Sequence, residues 1–189
     1  MTTATDTIRN GVDTATLFGT LDAIKGTPEL ARFQFRASNR WVDGSHNRST
    51  IKAFYGAGGE DTTRTTSFEL ASGEPQVLLG TDTGPNPAEY LLHALAGCLT
   101  TSLVYVAAAR GIRLTEVTSR LEGNMDLQGA LGLSKAHRNG FEDIKVTFTI
   151  KGDAGEDELR ELMARAQARS AVFDMVANGV PIDVEVSSS

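Results

Sequence analysis

The chain holds one thiol, Cys98, and a thiol does chemistry only under particular conditions. The thiolate is the nucleophile, so a reactive cysteine needs a cation, a helix N-terminus or hydrogen-bond donors beside its sulfur. Without that support a free cysteine behaves as a small hydrophobe, and it is among the most buried residue types. Position alone leaves both readings open. With no second cysteine an internal disulfide is excluded, and His46, His93 and His137 lie scattered, without partners at metal-ligand spacing. No metal and no cofactor are expected.

Cys98 falls inside a long helical segment. Asn86 before Pro87 supplies an N-cap and a proline at the first helical position, and Glu89 stands in the first turn, where the helix dipole favours a carboxylate. The helix is expected to run to about Arg110, with Gly111 as the residue past its end. It is apolar almost all round, which predicts burial on most sides. At 100° per residue Cys98 shares a face with Leu91, Ala94, Leu95, Thr101, Ser102 and Tyr105. Those hydroxyls are compatible with a small polar pocket around sulfur, although such groups usually bond back to the helix backbone. Glu89 lies about 13–14 Å away along the axis and on the opposite side, so capping is its first reading, and His93 does not face Cys98 either. Any activation has to come from another segment. The candidate cations are Arg64, just after a Gly-rich loop, and Arg48 at a strand entrance; spacing does not place either beside sulfur.

The flanking elements follow from periodicity. Residues 7–25 read as a modest amphipathic helix ended by Gly26 and Pro28. From Ala31 the period changes to two, with Phe33, Phe35 and Ala37 alternating with polar residues up to a turn at 41–44. Residues 49–55 and 65–70 give two more strands around a Gly-rich tip at 56–59. After the long helix, 112–126 and 141–150 read as strands about a Gly-rich stretch, 156–168 as a charged amphipathic helix, 171–177 as a shorter helix, and 180–186 as a final strand. Segregated strands rather than alternating βαβ units define an α+β class.

At 189 residues the chain fits one domain with a sizeable core. Its net charge of −6, with no Lys/Arg cluster, argues against nucleic acid. The longest apolar run, 91–109, is interrupted by His93, Gly97, Cys98 and two threonines, which makes it a core helix rather than a membrane span. The first ten residues are polar and Thr-rich, so no signal peptide is read and the expected compartment is the cytoplasm.

The string Gly84-Pro-Asn-Pro-Ala-Glu-Tyr-Leu-Leu-His-Ala-Leu-Ala-Gly-Cys98 resembles the signature of OsmC/Ohr proteins, in which an Asn/Ser-Pro pair opens the central helix and a reactive cysteine follows eleven residues after the proline, the interval kept from Pro87 to Cys98. The segments at 111–112, 144–152, 168–172 and 179–186 fit as well, so the resemblance covers about residues 31–187, behind a helical arm at 1–30. It implies an OsmC-like fold, with antiparallel sheets wrapped around a long buried central helix in an intertwined homodimer whose active sites lie at the interface. It further implies that the cysteine attacks an organic hydroperoxide, becomes a sulfenic acid and is reduced by a second thiol.

By the same resemblance Cys98 matches the peroxidatic cysteine, Arg64 is the best match to the family arginine and Arg48 the second. Two positions depart from the pattern. Ala88 stands where the family glutamate follows the proline, with Glu89 next to it, and Ser170 stands where a resolving cysteine is usual. Serine forms no disulfide, so an external thiol has to reduce an oxidised Cys98. The leading expectation is a one-cysteine hydroperoxide reductase acting through Cys98, Arg64 and Glu89. The alternative, favoured by Ala88 and Ser170, is a non-catalytic relative that binds a small apolar ligand at the dimer interface.

Overall fold

The computed structural model describes residues 7–187, so part of the polar opening read as lacking a leader lies outside the described residues. The chain divides into two compact units, one of residues 13–91 and one of 1–12 with 92–189.

The first unit is built on short antiparallel strands. Helix α1 (Thr14–Gly26) opens it, with the Asp13 carboxylate accepting from the N–H groups of Ala15 and Thr16, and it buries no residue. The helix expected over 7–25 therefore starts later. Residues 8–13 instead form a hairpin of β1 (Ile8–Arg9) and β2 (Val12–Asp13). Asn10 and Gly11 both take positive φ, 51° and 78°, the turn chemistry that Asn-Gly supplies and helical periodicity conceals. A 3₁₀ turn at Pro28–Ala31 follows, then β3 (Gln34–Phe35), β4 (Ser38–Asp43), β5 (His46–Ile51), β6 (Phe54–Gly56), β7 (Gly59–Glu60) and β8 (Phe68–Ser72). They pair as two sheets, β4-β5-β8 and β3-β6-β7, so the single strand expected over 49–55 is split at Lys52-Ala53 between two sheets.

The long helix α2 (Pro87–Arg110) begins against β8. Tyr90 Oη donates to the Ala71 carbonyl at 2.7 Å and Ser72 Oγ to that of Pro85 at 3.0 Å. Gly84 is required there, because a Cβ would stand 2.4 Å from the Ala71 oxygen.

The second unit holds most of the core. After α2 come β9 (Leu114–Asn124), a four-residue turn of helix α3 (Leu127–Ala130), β10 (Asp143–Gly152), α4 (Glu156–Gln167) and α5 (Ala171–Asn178). β9 and β10 form an antiparallel ribbon with Phe148 opposite Ser119 and Ile150 opposite Val117. Along β10 the half-buried Ile144, Val146, Phe148 and Ile150 alternate with exposed Lys145, Thr147 and Thr149, the period of a strand covered on one face. Leu103, Val106 and Ala107 of α2 pack with Ile112 and with Leu162 and Ala166 of α4. Full burial of a leucine such as Leu103 or Leu162 contributes about 1.5–3 kcal/mol.

Gly111, at φ 84°, ends α2, and the side chain of Asn10 bridges the chain beyond it, donating to the Ile112 carbonyl and accepting from the Leu114 N–H, each at 2.9 Å. By length and composition α2 could cross a membrane. Its packing against α4 makes it a core helix. Within one chain the cover is one-sided: Leu95, Leu99, Leu103, Val106, Ala107 and Ala108 are buried, while Leu91, Ala94, Gly97, Thr101 and Tyr105 are exposed. Burial on most sides is therefore not reached inside a single chain. Residues 180–186, expected as a strand, take no regular secondary structure and join no ladder among the described residues, and Ile182 and Val186 are 82% and 89% exposed.

Candidate functional site

Cys98 is half-buried, and its sulfur faces the start of α5. The backbone N–H of Val172 donates to Sγ at 3.5 Å. Ser170, only 2% exposed, is the N-cap of α5, and its Oγ accepts from the Phe173 N–H at 3.3 Å. The first N–H groups of a helix have no partner within it. Ser170 satisfies that of Phe173, and the N–H of Val172 is left to point at the sulfur. The sulfur therefore meets a backbone donor at the N-terminus of α5, the positive end of that helix's dipole. The dipole of α2 itself is of little use, since Cys98 lies about three turns into that helix. The segment that brings a donor to the sulfur is the opening turn of α5.

Sequence reasoning missed this donor because it is a backbone group that carries no side-chain signal. One signal was present: Ser170 directly before the apolar run 171–177 marks a helix start. The hydroxyls on the Cys98 face of α2 do not form a closed pocket. Thr101 is exposed and Tyr105 is 49% exposed, and the described donor to sulfur is the Val172 amide.

Glu89 is half of a capping box. Its Oε2 accepts from the Asn86 N–H at 2.9 Å, while its own N–H donates to Asn86 Oδ1 at 2.8 Å. Arg64 lies in the first unit, its guanidinium 5.1 Å from the Phe54 ring centre and 5.2 Å from that of Phe68, with Nη1 donating to the Lys52 carbonyl at 3.0 Å. Its backbone N–H donates to Asp61, whose carboxyl is held low first by the Thr63 hydroxyl and then by this amide. Arg48 is exposed on β5 opposite Arg40, and both help hold Glu69 below its usual range, after the hydroxyls of Thr50 and Ser67. Among the described residues no three His, Cys, Asp or Glu side chains gather as metal ligands.

The fold is shared with solved structures at low identity. The OsmC-like protein from Mycoplasma pneumoniae superposes with a TM-score of 0.60 at 15% identity, over 77% of this chain and 88% of that one. An organic hydroperoxide resistance protein OsmC from Legionella pneumophila gives 0.53 at 18%, over 77% and 90%. The organic hydroperoxide resistance protein from Elizabethkingia anophelis gives 0.52 at 15%, over 77% and 90%. No curated protein is a sequence match. The sequence pattern of OsmC-like proteins, however, runs through residues 80–185, more than half of the chain, from the approach to α2 through the thiol, β9, β10 and α5 to the segment beyond it. The chain belongs to the OsmC-like protein family.

Proposed function

We propose that the protein reduces organic hydroperoxides through Cys98 as a cytoplasmic homodimer and is returned to the thiol by an external reductant. The Val172 N–H on the sulfur carries this reading, because a hydrogen-bond donor beside the sulfur is one of the supports a reactive cysteine requires. The thiolate attacks the outer peroxide oxygen, the O–O bond breaks, and the alcohol leaves as Cys98 becomes a sulfenic acid. One external thiol then forms a mixed disulfide with release of water, and a second releases Cys98 and leaves as the disulfide. Arg64 is the proposed cation for the peroxide. Glu89, next to Ala88, is the proposed remnant of the family carboxylate and acts by fixing the start of α2.

Two observations support the dimer. The exposed stripe of Ala94, Gly97 and Thr101 on α2 is small enough for a second helix to approach closely, with Leu91 and Tyr105 flanking it. The apolar 180–186 segment, which pairs with no strand among the described residues, has the alternation of an edge that a second chain could join.

The test is to mix reduced protein with cumene hydroperoxide and trap sulfenic acid with dimedone, alongside dithiothreitol-driven turnover. Labelling at Cys98 and turnover lost in Cys98→Ser are expected. An unlabelled Cys98 refutes the reading.

A further inference from the structure

Among the described residues the Val172 N–H has one acceptor, the sulfur of Cys98 at 3.5 Å. A backbone amide inside a helix or ladder breaks a backbone bond if it loses its proton. This one stands in the first turn of α5, where no intrahelical acceptor exists, and gives up only its contact to sulfur. The N–H direction also fixes the aim of the nitrogen. Once the proton has gone, the in-plane lone pair lies along the former N–H bond and points at Sγ. The separation is at the outer edge of the roughly 3–3.5 Å that marks a near-attack arrangement. Ser170, only 2% exposed, caps the Phe173 N–H, so buried structure presents the amide to the sulfur.

That nitrogen has no thiol to compete with. The chain holds one cysteine, so a sulfenic acid on Cys98 finds no second thiol within its own chain. A sulfenic acid condenses with a thiol or with a backbone nitrogen, and further peroxide otherwise carries it to the irreversible sulfinic acid. Of the two condensations, the chain itself offers the second.

We propose that the sulfenic acid of Cys98 closes onto the Val172 nitrogen as an internal sulfenamide, a reversible resting form that shields the sulfur until an external thiol arrives. The inference rests on the oxidation of Cys98 proposed above. The S–N bond forms as the S–O bond breaks, and the departing hydroxide takes the amide proton, so water is released and sulfur keeps its oxidation state. The product ties α2 to α5 across 74 positions of sequence. One external thiol reopens it by bonding to Sγ as a mixed disulfide and returning a proton to the nitrogen. A second thiol frees Cys98 and leaves as the disulfide.

The test is mass spectrometry of the reduced full chain treated with cumene hydroperoxide or, in a second arm, with hydrogen peroxide until the free thiol is gone. Sulfenic acid adds about 16 Da, and loss of water then leaves the chain about 2 Da below the thiol form. That lighter product is expected, as a monomer on a non-reducing gel, and dithiothreitol should reverse it. Trypsin should release peptide 65–110, which holds Cys98, joined to peptide 170–189, with fragmentation placing the link on the Val172 nitrogen. Dimedone present from the start should intercept the acid and prevent the product. Val172→Pro should lack the product and accumulate sulfinic acid, whereas Ala171→Pro, which keeps the amide, should still form it. Fragmentation of the wild-type peptides decides the case whether or not the first variant folds. A wild type that stops at sulfenic acid or passes to sulfinic acid, a link to another nitrogen, or a disulfide-linked dimer would overturn the inference. If hydrogen peroxide yields the sulfenamide while cumene hydroperoxide leaves Cys98 reduced, the hydroperoxide reading fails and this one stands.

Discussion

The backbone N–H of Val172 points at the sulfur of Cys98 from 3.5 Å, joining two helices across 74 positions of sequence. A side-chain donor could have been lost by any substitution, but this one survives every change except proline. It is also oriented by the helix it begins, so the donor and the positive end of the dipole act on the same atom.

Removing that donor should slow the thiol. Val172→Pro deletes the N–H, whereas Ala171→Pro, at the first helical position that tolerates proline best, leaves it in place. Iodoacetamide alkylation of Cys98 at neutral pH should fall by about fivefold in the first variant, from a contact worth ~1 kcal/mol, and hold in the second. Equal rates in two folded variants would mean that the amide does nothing for the sulfur.

Ser170 offers a test of the same corner by stability and by redox chemistry. Ser170→Ala removes the cap on the Phe173 N–H, which costs about 1 kcal/mol and lowers Tm by about 2–4 °C. Ser170→Cys places a second thiol two residues from the amide that touches Cys98. Hydroperoxide should then convert both thiols to an intramolecular disulfide, and free-thiol titration should drop from two per chain to none. Retention of one free thiol after oxidation would place position 170 out of reach of the sulfur.

The central helix was legible because its signals are local: Asn86 and Glu89 exchange the capping bonds, Pro87 takes the first helical position, and Gly111 closes the helix at φ 84°. The strands 112–126 and 141–150 were legible for the same reason, since alternation over ten residues has one physical reading. What stayed hidden is non-local or competes with a stronger pattern. Ile8 and Val12 fit the helical stripe of Leu17, Leu21 and Ile24, so the Asn10-Gly11 turn was absorbed into a helix that begins only at Thr14. Residues 180–186 carry the alternation of a strand, but a ladder needs a second edge, and among the described residues none pairs with it. The Val172 amide was hidden for the simplest reason, that an N–H is common to nearly every residue and only the fold selects one.

Glu89 separates capping from catalysis. Gln preserves a capping box, so Glu89→Gln should keep Tm within about 1 °C, while Glu89→Ala should lower it by about 2–4 °C. If the carboxylate acts only through the helix start, Glu89→Gln also leaves the rate of Cys98 oxidation unchanged. A large rate loss in Glu89→Gln with an unchanged Tm would assign the charge itself a part in the reaction.

Acid should loosen the excursion between β9 and β10 through Asp126. Its carboxyl is held below the ordinary 3.8, first by the Gln128 backbone N–H and further by the Gln128 side chain and His137. A depressed carboxyl stabilises fully above its unfolded value, and that contribution is lost as pH falls through the folded one. The Gln128 amide should therefore shift, and lose protection relative to its intrinsic exchange rate, as pH drops below about 3.8, and Asp126→Asn should remove the step. A Gln128 resonance that stays flat through this window in the wild type would rule out the carboxylate as its partner.

Arg64 is the residue for which structure and proposal ask different things, and two reagents separate them. Stacking on Phe54 and Phe68 gives the guanidinium a structural task, worth about 0.5–1 kcal/mol at an exposed site, so Arg64→Ala should lower Tm slightly. Arg64→Lys keeps the charge but loses the planar face that both rings contact. If Arg64 holds the peroxide, both variants should slow sulfenic acid formation from cumene hydroperoxide by at least about tenfold, while alkylation by uncharged iodoacetamide stays within about twofold of wild type. If Arg64 only braces the sheet, both rates follow wild type at a temperature where the variants remain folded. The cation in the reaction would then have to be another residue, with Arg48 next to be substituted.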